Sequence, residues 1–126
     1  MERDQLWKRL EMWQHNLENK ITRESYLEIC KQTGEEIDVN KIPPEFEDFP
    51  PDVQSAILVY NKLGDKIVAD IGYMGKDYTT LPLHIELEKP DCKEIFIETL
   101  LRLDERLIKK SADEMRRERE KLKSKK

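Results

Sequence analysis

The 126-residue sequence carries 23 Lys and Arg against 27 Asp and Glu, with 40% charged and 37% hydrophobic residues and a formal net charge of −4. That composition supplies one modest core surrounded by solvated helix and excludes a second large core. The longest apolar run, Ala56 to Tyr60, falls far short of the roughly 18 residues that cross a bilayer, and Met1 to Asp4 leads into no signal core, so the expectation is a soluble intracellular chain. Cys30 and Cys92 are too few for a disulfide framework and are expected to be reduced, buried thiols.

Leu6, Leu10, Trp13 and Leu17 recur at helical spacing and predict a helix from about Glu2 to Glu18, its stripe widened by Trp7. Thr22 is placed to cap a second helix with Tyr26, Leu27, Ile29 and Cys30 facing inward, and Gly34 to end it. The short break at Asn19-Lys20-Ile21 makes the two an N-terminal helical hairpin. Pro43-Pro44 and Pro50-Pro51 then impose an extended, Pro-rich strap, expected to be pinned by Ile42, Phe46 and Phe49.

Pro51 suits the first turn of a central helix with Val53, Ala56, Ile57, Tyr60 and Leu63 on its inner face and Gly64 as its stop. From Asp65 to Asp77, two glycines, Gly72 and Gly75, predict a shaped loop. Leu81, Leu83, Ile85 and Leu87 alternate as in a strand, yet Pro82 fits a first helical turn and no partner strand is evident, so a short helix is expected. Asp91 and Glu94 resemble a capping box opening a long helix to about Leu122, with a seam of Phe96, Leu100, Leu103 and Leu107. Beyond Ala112 only Met115 and Leu122 are apolar, so this helix is expected to leave the core. Residues 109–126 hold nine Lys and Arg against four Asp and Glu, a local charge of +5, which leaves −9 on residues 1–108. The fold class is therefore mainly α: a single helical domain over residues 1–112, with hairpin, strap and central helices, and a projecting charged helical extension over 113–126.

Catalytic equipment is not evident. His84-Ile85-Glu86 with Pro90-Asp91-Cys92 only begins to resemble a zinc deaminase signature, because Cys92 does not follow the proline directly and no second cysteine follows. His15, Cys30, His84 and Cys92 are not paired at metal-ligand spacing, so no metal or cofactor is expected. Gly72 to Asp77 lacks the spacing and the hydroxyl of a phosphate-binding loop, and Lys76 is expected to pair with a nearby acid. Arg116, Arg117, Arg119, Lys121 and Lys123 could contact nucleic-acid phosphates, but interspersed acids and the lack of aromatic residues among them weaken that reading, and no membrane-binding face is present.

The succession Ile42-Pro43-Pro44, Asp48-Phe49-Pro50, Tyr60-Asn61-Lys62-Leu63 and Gly75-Lys76-Asp77-Tyr78-Thr79-Thr80-Leu81-Pro82 resembles small tailed-bacteriophage proteins of the tail assembly chaperone type, over residues 42–108. The last stretch fits a G-x-D-Y-x-x-L-P motif whose Asp77 is expected to cap the following helix and whose Tyr78 is expected to lock the loop. The resemblance implies a mainly helical, non-enzymatic protein that binds a tape-measure-like tail protein during assembly, in the host cytoplasm or the virion. A structural tail or neck component and a nucleic-acid packaging accessory are the alternatives. Trp7, Phe46, Phe49, Tyr73 and Met115 are the expected partner anchors, and homo-oligomerisation is expected as well.

Overall fold

A computed structural model describes residues 2–124. The chain is mainly helical, with α1 at Arg3–Glu18, α2 at Arg23–Thr33, α3 at Pro51–Lys62, α4 at Leu81–Glu88 and α5 at Lys93–Ser124; a small antiparallel pair, β1 at Asp65–Val68 and β2 at Gly72–Lys76, lies between α3 and α4. It divides into two compact units at Pro50 and Pro51. The boundary expected at residue 112 falls inside α5, which runs unbroken through it.

In the first unit α1 buries Leu6, Trp7 and Leu10, but Leu17 at the end of the expected stripe is exposed. Asn16 and Gln14 are buried in its place. Thr22 caps α2 as expected: its hydroxyl accepts from the Ser25 amide at 3.0 Å while the Ser25 hydroxyl accepts from the Thr22 amide at 3.0 Å. Gly34 ends the helix in the left-handed region at φ 73°. The inward face expected of α2 is mostly absent, since Leu27 and Ile29 are exposed and only Cys30 is buried. α1 and α2 follow one another across the short break expected between them, within one compact unit.

The strap between α2 and α3 contains two single 3-10 turns, Val39–Lys41 and Phe46–Asp48. Pro43, Pro44 and Phe49 are buried, and the Phe49 ring meets Trp13 edge-on at 6.0 Å and 77°. Arg23 ties the strap to α2, donating to the Pro43 carbonyl at 3.3 Å and to Asp48 at 2.6 Å, with Glu45 at 3.4 Å. The Glu45 amide and the Arg23 guanidinium together hold the Asp48 carboxyl below its ordinary range.

The second unit is built on α3 packed against α5. Val53, Ala56, Val59, Phe96, Thr99 and Leu100 are fully buried. The Asp52 carboxylate in the first turn of α3 accepts the Asp91 and Cys92 amides at 3.0 and 2.8 Å. α5 thus begins one residue later than an Asp91–Glu94 capping box requires, with an acid from another helix satisfying the amides just before it.

Residues 65–77, expected as a loop, form a hairpin instead. Asp65 pairs with Lys76, Lys66 with Gly75, Ile67 with Tyr73 and Val68 with Gly72, so Met74 is a bulge. Asp70 makes the turn at φ 69°. The strand β2 lies against α5. A Cβ on Gly72 would stand 2.7 Å from the Ser111 hydroxyl, and one on Gly75 would stand 3.0 Å from the Asp104 carboxylate. The two glycines, at φ 98° and 118°, let a strand backbone lie directly on a helix. Successive β2 glycines meet successive turns of α5, Gly72 over Ser111 and Met115 and Gly75 over Asp104 and Ile108. One turn further, Arg119 donates to the Asp70 carbonyl at 2.7 Å. The helix therefore leaves contact with its unit later than the composition suggested.

Candidate functional site

The densest polar constellation in the second unit centres on Asp104, which is only 5% exposed. Its Oδ1 accepts from Tyr73 at 2.5 Å and Tyr60 at 3.2 Å, and its Oδ2 from Tyr78 at 2.6 Å and the Lys76 amide at 3.0 Å. Four donors fill the roughly four lone-pair positions of a carboxylate. Burial alone would raise the Asp104 pKa, but the hydrogen bonds outweigh it and hold the group below its ordinary value. The same burial, with the neighbouring carboxylate, raises Tyr60, Tyr73 and Tyr78 well above the ordinary phenol value.

Lys76 closes this arrangement. Its ammonium lies 2.7 Å from Asp65, 3.3 Å from the Leu63 carbonyl and 4.6 Å from the centre of the Tyr60 ring. An amine so engaged serves the fold rather than a phosphate. The motif residues Gly75, Lys76 and Tyr78 thus converge on one buried acid from α5, whereas Asp77 departs from its expected part. Asp77 accepts from the Thr79 amide at 2.9 Å and from the Thr79 hydroxyl, forming a local turn, while Thr80 occupies the position before α4. Leu81 and Pro82 open α4. Among the described residues no group of three His, Cys, Asp or Glu is placed to hold a metal ion.

The expected partner anchors are dispersed. Trp7 and Phe49 are 7% and 4% exposed, so both are interior rather than presented to a partner. Tyr73 spends its hydroxyl on Asp104, and Met115 lies under Gly72. Phe46 is half-buried and borders an open groove of about 400 Å³ in the first unit, together with Trp13, Asn16, Leu17, Ile21 and Pro43. Of the basic residues, Arg119 is held by the Asp70 carbonyl and Arg116 by Asp113 at 3.4 Å, while Arg117, Lys121 and Lys123 are exposed.

Family models, characterised proteins and solved structures give no match to this chain.

A further, largely exposed apolar element is α4 itself. Leu81, Leu83, Ile85 and Leu87 make it the most apolar helix of the chain, yet none of its residues is buried. A period of two placed on a helix of 3.6 residues per turn scatters side chains around the axis. Leu83 and Leu87, one turn apart, are left on one face at 54% and 68% exposure. The hairpin adds Ile67, Val68, Ile71 and Met74, all exposed. The alternation that made residues 78–88 ambiguous was the available signal for this surface.

Proposed function

We propose that this chain is a non-enzymatic interaction protein that binds an apolar, helical segment of a bacteriophage tail protein during assembly, with α4 as the docking element. The observation that carries the reading is that α4, the most apolar helix, buries none of its residues and leaves Leu83 and Leu87 exposed on one face, while Leu81 and Ile85 are half-buried. Isolated exposed leucines are ordinary, but a short helix whose Leu81 and Ile85 are half-buried and whose other two leucines form an exposed face presents apolar surface beyond what its packing requires. Local patterning that conflicts with the fold is characteristic of functional surfaces.

The phage assignment rests on the G-x-D-Y-x-x-L-P resemblance, and the binding assignment rests on the surface. The saturated Asp104 cluster supports a structural part for the motif, since it fixes the hairpin and the start of α4 relative to α5. No comparable observation favours nucleic acid, because two of the five candidate basic residues are engaged within the chain.

Co-expression with tail proteins, followed by affinity purification at low and high salt, tests the proposal. Recovery of a tail protein that survives high salt is expected, as apolar docking is insensitive to screening. Recovery of nucleic acid alone, lost at high salt, would overturn it.

A further inference from the structure

The groove in the first unit has an unpartnered polar group in its lining. Asn16 is 8% exposed, and its Nδ2 has no hydrogen-bond partner. A buried amide donor left unsatisfied destabilises the site that holds it, and an incoming backbone carbonyl is the group that would satisfy it. Around it Trp13, Leu17, Ile21 and Phe46 offer apolar walls, with Leu17 60% and Ile21 40% exposed. Glu24, Glu45 and Glu47 border the groove, and its one cation, Arg23, is bound to Asp48 and Glu45. Residues 1–50 as a whole hold seven Lys and Arg against twelve Asp and Glu, a charge of −5.

The chain also carries a segment of complementary chemistry. Residues 109–126 have a charge of +5. On the described part of that segment Leu122 is 64% exposed, and Arg117, Lys121 and Lys123 are exposed beside it. Beyond Arg119, the last residue tied to the hairpin, this stretch of α5 has no apolar support, and an isolated polar helix is marginal in water. It combines one apolar side chain with flanking cations, as an acid-rimmed apolar groove requires.

We propose that the groove formed by Trp13, Leu17, Ile21 and Phe46 receives the distal end of α5, residues 117–124, from a second copy of this chain. Leu122 enters between the apolar walls, and Arg117, Lys121 and Lys123 face Glu24, Glu45 and Glu47. Reciprocal exchange gives a closed two-fold dimer, and one-way exchange gives an open chain of subunits. This contact does not use α4, so it stands or falls apart from tail-protein binding.

The test is sedimentation of the full chain with charge-reversed variants. The wild type is expected to self-associate at roughly micromolar concentration, and the association should weaken at least tenfold between about 50 and 500 mM salt. Leu122→Glu, at an exposed position, should abolish it while circular dichroism shows unchanged helix. A copy with Glu24→Lys and Glu47→Lys should be monomeric, as should a copy with Arg117→Glu, Lys121→Glu and Lys123→Glu. Mixing the two should restore dimers, because each groove then meets a segment of opposite charge. A wild type that stays monomeric at about 100 µM in low salt overturns the proposal. So does association that Leu122→Glu leaves intact, or a mixture that stays monomeric.

Discussion

Asp104 is the residue on which the second unit turns. It is a carboxylate on the buried side of a helix, and it is tolerated there because three phenols and one amide replace the water it gave up. Asp104→Asn puts an amide N–H where a donor already points, and should lower unfolding free energy by about 3 kcal/mol. Tyr78→Phe removes one of the four donors and should cost about 1–2 kcal/mol; chemical denaturation followed by circular dichroism measures both. The pH dependence has a definite sign at each end. The folded-state pKa of Asp104 lies below the ordinary 3.8, so its contribution is complete above that value and is lost as pH falls through the folded pKa. The tyrosines lie above their ordinary 10.0, so their contribution is complete below that value and is lost as pH rises through their folded pKa values. Spectrophotometric titration should show Tyr60, Tyr73 and Tyr78 ionising late and together with loss of helix. In the Asp104→Asn variant they should ionise at lower pH.

Among the elements, the hairpin depends most on particular residues, because it rests on α5 through two glycines. Gly75→Ala forces a side chain into φ 118° and sets its Cβ 3.0 Å from Asp104 and 3.3 Å from Ile108. It should destabilise the fold by about 2 kcal/mol and release the Tyr73 and Tyr78 hydroxyls, measurable by denaturation and by tyrosine titration. By contrast, Leu83→Glu with Leu87→Glu should leave the midpoint of thermal unfolding within a few degrees of wild type, since both side chains are already exposed. A large loss of stability there would mean that α4 belongs to the core. The helices were largely legible in the sequence. Thr22 and Gly34 mark the ends of α2, Pro51 opens α3, and the periodicity of Phe96 to Leu107 locates α5. The hairpin was not legible, because its glycines read as loop residues when their purpose is close approach to a helix far along the chain. Nor was the exposure of Leu27 and Ile29 on α2, which fit a helical stripe of which only Cys30 is buried. The Asp104 cluster was half legible: the Gly75-Lys76-Asp77-Tyr78 motif drew attention to one side of it, while its centre was one acid among 27.

At the scale of the molecule, a clamped hairpin and an exposed apolar helix lie in one compact unit, and an acidic groove in the other. Charge is polarised along the chain, with −9 on residues 1–108 and +5 on 109–126, so salt separates the two kinds of association argued for it. The docking proposed for α4 is apolar and should persist at high salt, whereas the contacts proposed for the distal end of α5 should weaken. The most direct measurement is a comparison of tail-protein recovery by wild-type chain and by the folded Leu83→Glu, Leu87→Glu double variant, co-expressed with the same tail proteins and washed at high salt. The account predicts that the wild type retains its partner and the double variant loses it at unchanged helix content. Equal recovery by both, or none by the wild type, would contradict the claim that α4 is the docking element.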